Sequence, residues 1–212
     1  MNAGPHPADT VHDLAGLRRQ LGGCRLCVER GIAVGSMPVI SRPERPEAIL
    51  VGQAPGIRER ESLLPFSGPA GRRLRQWLAP AGLGDEAAFR ERLAIASVAR
   101  CFPGRRPSGG DRPPPAAMLR ACLPWLWREL ELVDVPVIIS VGAMALAELV
   151  PGAGLDRAVG IELTHPGDGR PVIALPHPSG ASTWPNRPGN AERLAAAVAL
   201  VVARLRPAGA TT

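Results

Sequence analysis

The sequence predicts an α/β fold: three αβα layers around a central, mostly parallel four-stranded sheet. Two observations predict it. Four short apolar runs, Glu47–Gln53, Leu93–Ala99, Pro136–Val141 and Pro171–Leu175, are separated by longer helical patterns, and strands alternating with helices build a parallel sheet covered on both faces. Each run also exits into chemically unusual residues, as expected where a parallel sheet gathers its carboxyl ends along one edge.

The elements follow in order. Ala48-Ile49-Leu50-Val51 has no polar alternation, which marks a strand buried on both sides. It opens into Gly52-Gln53-Ala54-Pro55-Gly56 and then Pro65-Phe66-Ser67-Gly68-Pro69-Ala70-Gly71, ahead of a helix expected over Ala70–Ala81. These glycines let a backbone approach a ligand closely and Phe66 offers an aromatic face, but neither the P-loop nor the dinucleotide spacing is present. The second strand leads into Arg100-Cys101-Phe102-Pro103. Pro113-Pro114-Pro115 ends a loop and starts a helix, Pro115–Glu131, because proline fits a first helical turn. The third strand passes through Ser140-Val141-Gly142 into a helix over Ala143–Leu149, and the fourth exits into His177-Pro178-Ser179-Gly180. The closing helix, Asn190–Leu205, sets Leu194, Val198, Val201, Val202 and Leu205 at helical spacing.

With 212 residues, 45% of them hydrophobic, the chain suits one domain with a full core. The end segments Met1 to Thr10 and Pro207 to Thr212 are expected to be flexible. The formal charge is +6, and every basic residue is Arg. Such a balance suits a polyanionic partner, although an arginine-rich coding bias produces the same sum. No basic segment followed by an apolar run opens the chain, and no apolar stretch approaches the roughly 20 residues that span a bilayer. A cytoplasmic, monomeric protein without a membrane partner is expected.

Cys24 and Cys27 form a C-x2-C pair, and Cys101 and Cys122 follow far downstream with 20 residues between them. In a cytosolic chain paired disulfides are disfavoured. Four thiolates complete either one tetrahedral zinc site or one [4Fe–4S] cluster, and spacing does not separate the two. The plainer alternative is two buried small cysteines plus a redox or chance C-x2-C.

Taken in order, these motifs resemble the uracil-DNA glycosylase superfamily, most closely its iron–sulfur family 4. That family reads Gly-Glu-(Ala/Gly)-Pro-Gly, Pro-Phe-Val-Gly-x-Ala-Gly, a strand ending near a cysteine, and His-Pro-Ser. The matching residues are Gly52–Gly56, Pro65–Gly71, Cys101 and His177-Pro178-Ser179, and the resemblance runs from about Cys24 to Leu205. It implies a DNA repair enzyme that flips a deaminated base, uracil first, out of DNA and hydrolyses the bond from base to sugar. It implies a [4Fe–4S] cluster on Cys24, Cys27, Cys101 and Cys122, with zinc as the alternative. It also implies that His177 contacts the base carbonyl, Phe66 stacks on the base, Ala54 and Gln53 line the pocket by their backbone, and Ser67 and Ser179 bind phosphate.

Two departures bear on mechanism. The family's water-positioning Glu is Gln53 here, which holds water by hydrogen bonds but takes no proton. The nearest carboxylates are Glu59 and Glu61, and Glu59 matches a second acidic position that the resemblance sets near the base edge, where it supports catalysis or excludes the methyl of thymine. Where the family has Asn four residues before the third cysteine, this chain has Ser97, a shorter group for reading the base, so hypoxanthine and xanthine stand beside uracil as substrates.

Two loops complete the expectations. Arg105 to Arg112 is basic, with Arg105 and Arg106 as phosphate contacts and Asp111 as a spare carboxylate for water. After His177, Trp184 is the candidate wedge for the space left by a flipped base, and Arg187 a candidate phosphate contact. Two other classes compete: a damaged-DNA-binding module of the same fold that cleaves poorly, and a zinc-stabilised α/β hydrolase of nucleotides.

Overall fold

The structure is a computed structural model and describes residues 5–180 and 182–205. Its helices are α1 (Leu14–Gly22), α2 (Leu26–Glu29), α3 (Ile57–Ser62), α4 (Pro69–Leu78), α5 (Glu86–Arg92), α6 (Ala116–Leu132), α7 (Ala143–Leu149), α8 (Leu155–Ala158) and α9 (Asn190–Arg204). Its strands are β1 (Ala48–Gly52), β2 (Leu93–Ser97), β3 (Ile138–Val141), β4 (Glu162–Thr164) and β5 (Pro171–Leu175).

One five-stranded sheet has the order β2-β1-β3-β5-β4. The four expected strands pair in parallel, and β4 adds an antiparallel edge against β5. The sheet therefore has one strand more than expected. β4 is three residues long with Glu162 and Thr164 exposed, so it carries no continuous apolar run; its pairing with β5 defines it. Every residue of β1 is buried, as befits a central parallel strand. Successive β1 residues face opposite layers. Leu50 joins a core with Leu74, Leu78, Phe89 and Val201, while Ile49 and Val51 join one with Leu126, Leu130 and Ala145. Helices α4, α5 and α9 thus cover one face, and α6 the other.

A third apolar cluster lies beyond α6, where Leu17 and Leu21 of α1 pack with Trp125, Ala8 and Val11. Residues 7–10, expected within a flexible end, instead form a 3-10 turn with Ala8 buried. His6 beside them sets its ring edge-on to Trp125 at 5.2 Å between centroids. Residues 1–4 and the segment Pro207 to Thr212 lie outside the described residues. Among the described residues no helix is long and apolar enough to cross a membrane.

Candidate functional site

The chain leaves β1 toward β2 on one side and reaches β3 on the other, so the crevice at the carboxyl ends of β1 and β3 is where the strand order reverses. Such crevices are where open α/β sheets bind ligands. Registers place Gly52 opposite Ser97, Val51 opposite Ser140, and Val141 opposite Leu175. The exits of four strands therefore stand level along one edge.

Phe66 lies over the first of these exits. A Cβ on Gly52 would stand 3.1 Å from the Phe66 ring, so the ring packs directly on the end of β1. Phe66 takes a left-handed backbone conformation, φ 51°, and its ring meets buried Phe89 edge-on at 6.5 Å. The half-buried ring is thereby held against the sheet edge.

His177 stands two residues past β5. Its ring rests on Gly142 at the exit of β3, where a Cβ would be 3.3 Å from Cδ2. The amide of Ser179 donates to Nδ1 at 3.2 Å, which leaves the proton of a neutral ring on Nε2. Burial holds the His177 imidazole below its ordinary value, so the neutral form is favoured at physiological pH. The site thus presents a neutral Nε2–H donor.

Glu59 does not present a free carboxylate. One oxygen accepts from the Gly56 amide at 3.0 Å and the other from the Gly68 amide at 3.0 Å. Gly56 caps α3 and Gly68 caps α4, so the side chain clasps the two glycine-rich loops together. These two bonds give Glu59 a positioning role in the loops that border the crevice. Glu59→Ala is expected to cost about 1–3 kcal/mol through two unsatisfied amides, measured by urea unfolding.

The Ser97 hydroxyl donates to the Ala99 carbonyl at 2.7 Å. Its proton is committed, and what it offers the crevice is an acceptor. Gln53 and Ala54 lie half-buried in the loop between β1 and α3. The Ser67 hydroxyl pairs with that of Ser62 at 2.7 Å beside the start of α4, and the Ser179 amide serves His177.

Arg105 to Arg112 forms a small hairpin, closed by a bridge between Arg105 and Asp111 and a turn at Arg106 to Gly110. Arg105 and Arg106 are exposed, while Asp111 reaches the Ile57 amide at 3.4 Å and so ties the hairpin to the loop after β1. Asp111 is expected from the sequence as a spare carboxylate for water; its anchoring contact joins two segments 54 residues apart.

Trp184 is not a wedge. It is 6% exposed in the core beneath α9, its indole N–H donates to Asp156 at 2.6 Å, and Arg193 lies over its ring at 5.8 Å. A tryptophan beside a helix of apolar spacing finds more stabilisation inside than in solvent. Trp184→Ala is expected to destabilise the fold by about 3–5 kcal/mol, and to affect reaction on duplex and single-stranded DNA alike. Arg187 is exposed and sits 3.5 Å from Asp156, the carboxylate that also holds Trp184.

The four cysteines are brought together away from the crevice. All are free thiols, and all line one cavity of about 320 Å³, with Arg25, Val28, Met37 and Arg100 among its walls. Cys24 follows α1, Cys27 sits in α2, Cys101 follows β2 and Cys122 lies in α6. Burial and the neighbouring thiols push Cys101 up to about 12, and burial pushes Cys122 up to about 11. Among the described residues no three His, Cys, Asp or Glu side chains close in as the ligands of one ion do. Four cysteines gathered around one cavity are a donor set that fits a sulfur-ligated group.

Comparison with known proteins places the chain in a family. The family model described as the Uracil DNA glycosylase superfamily matches residues 40–201. A Type-4 uracil-DNA glycosylase of Archaeoglobus fulgidus is 30% identical over 135 residues, 64% of this chain and 62% of the relative. One of Thermotoga maritima is 32% identical over 133 residues, 62% of this chain and 64% of the relative. One of Sulfurisphaera tokodaii is 27% identical over 132 residues, 62% of this chain and 56% of the relative. The matched region spans less than two thirds of the length of each of these relatives.

Proposed function

Because the chain belongs to the uracil DNA glycosylase superfamily, we propose that it is a DNA repair hydrolase that removes uracil, and related deaminated bases, from DNA. The observation that carries this reading is the pairing of a fixed aromatic platform with a neutral imidazole donor at one sheet edge. Phe66 is clamped against Gly52 and Phe89, and His177 is held neutral with Nε2–H free to donate. The Type-4 name of the relatives supports uracil as the first substrate.

In this mechanism a flipped base stacks on Phe66, at a cost of a few kcal/mol of lost DNA stacking. The N-glycosidic bond breaks with its electron pair going to the base. The negative charge that develops on the base carbonyl oxygen is met by Nε2–H of His177, a donor that gains strength as the bond breaks. Water then bonds to the oxocarbenium-like sugar carbon and gives up a proton, and the base takes one, leaving free base and an abasic sugar. Gln53 orients that water by hydrogen bonds without taking its proton. With its own proton donated to the Ala99 carbonyl, the Ser97 hydroxyl accepts the ring N–H that stands beside a carbonyl in uracil, xanthine and hypoxanthine alike. That shared feature is the reason for a substrate range wider than uracil. Arg105, Arg106, Arg187, Ser67 and Ser179 contact phosphates, which position DNA without reading its sequence.

Cys24, Cys27, Cys101 and Cys122 hold a [4Fe–4S] cluster, whose part when bound is to tie α1, α2, the exit of β2 and α6 together. The Type-4 name of the relatives supports a cluster over one zinc ion, which the same four thiolates would also complete.

The test is single-turnover base release from oligonucleotides carrying one uracil, hypoxanthine or xanthine, followed by alkali. Cleavage at uracil, with measurable cleavage at one of the purines, is the expected result. Tight binding to all three without an alkali-labile site would favour the damaged-DNA-binding module instead.

A further inference from the structure

We infer that the buried guanidinium of Arg100 donates to the sulfurs of the group held in the four-cysteine cavity, and so sets how firmly that group is held and how readily it accepts an electron. The inference rests on the cluster reading above. Arg100 is 1% exposed, and its guanidinium carries five N–H donors. Nη2 is ion-paired with Glu129, itself 2% exposed. Nε and Nη1 are buried and have no partner among the described residues. Buried polar atoms in native structures are nearly always hydrogen-bonded, and a charged group left short of partners is the more costly case. These nitrogens therefore point to an acceptor that the protein chain does not itself provide.

The surroundings say where that acceptor lies. Arg100 lines the same cavity as all four cysteines and directly precedes Cys101. Its main-chain N–H already donates to Cys122 Sγ at 3.1 Å. Glu129 sits seven residues after Cys122 on α6, two helical turns along and on the same face. One helix thus carries both the fourth thiol and the carboxylate that holds the guanidinium in place. Thiolates and sulfides are anionic acceptors, and donors to them stabilise the more negative, reduced state, which raises the reduction potential. A pair placed only for stability would leave Nε and Nη1 unexplained.

The experiment uses the holoprotein purified without oxygen. Iron, acid-labile sulfide and visible absorbance establish the cluster, and spectroelectrochemical titration gives its one-electron potential. R100M/E129L removes both buried charges together, so neither is stranded, and far-UV circular dichroism checks the fold. The expected result is a reduced-to-oxidised ratio at fixed potential that falls about tenfold, or 59 mV for one electron, with faster bleaching by a chelator. R100K keeps the charge and a partner for Glu129 but lacks the second and third nitrogens; it should shift in the same direction by less. If the double variant does not fold, R100K alone decides. An unchanged potential and unchanged bleaching in a folded, cluster-bearing variant would overturn the inference while leaving the cluster reading intact. Wild-type protein without iron or visible absorbance would instead overturn the cluster reading, and this inference with it.

Discussion

His177→Ala is expected to slow single-turnover base release by about 10²–10³-fold, with substrate binding changed far less. The loss falls on the chemical step because the imidazole meets charge that exists only as the base leaves. Its protonation state gives the prediction a second arm. The Ser179 amide donates to Nδ1, so the ring is active as the neutral tautomer with Nε2–H. Burial lowers its pKa, so the folded form resists protonation where an unfolded histidine, near 6.5, accepts it. The stabilisation this confers is therefore present above about 6.5 and lost as pH falls through the lower folded value. Protonation of Nδ1 also breaks the bond from Ser179. The pH–rate profile should be flat around neutrality, with an acid limb below about 6.5 that disappears in His177→Gln. Activity that rises on acidification would mean that imidazolium is the working form.

Gly71→Ala is expected to be the most damaging added methyl among the described glycines. A Cβ at Gly71 would sit 1.7 Å from the Phe66 carbonyl oxygen and 2.5 Å from its carbon. Both are far inside van der Waals contact and both are backbone, so no side-chain rotation relieves them. Either α4 shifts or the Phe66 loop does, and the second moves the ring off Gly52. A loss of about 3 kcal/mol or more in stability follows, along with more than tenfold lower kcat/KM on a uracil substrate. Gly154→Ala is the control, since a Cβ there meets nothing within 4 Å and its φ of −96° suits any residue. Thermal unfolding and steady-state kinetics on the two variants separate a clash at the platform from a general intolerance of alanine.

These two residues also mark how far the sequence could be read. The parallel strands were legible because residues such as Ile49, Leu50 and Val51 are buried on both faces and leave continuous apolar runs. The exits at Gly52, Cys101 and His177 followed from where those runs end. β4 was not legible, since a short exposed edge strand is defined by its partner and not by its own residues. Glu59 has the composition of a catalytic acid, and only the approach of Gly68 across nine positions shows that both oxygens are taken. Trp184 stood out because aromatic residues are scarce here, but scarcity carries no information about burial. The cysteines could be counted but not placed; their shared cavity depends on how α1 and α2 fold back to the end of β2.

The most direct measurement is the stoichiometry of free base released from a duplex oligonucleotide with a single uracil, followed by chromatography alongside the abasic product. We expect one uracil per abasic site from the wild-type protein, and at least 100-fold slower release from His177→Ala. Retention of the oligonucleotide with no uracil released, or release that is indifferent to His177, would contradict the proposed glycosylase and its mechanism.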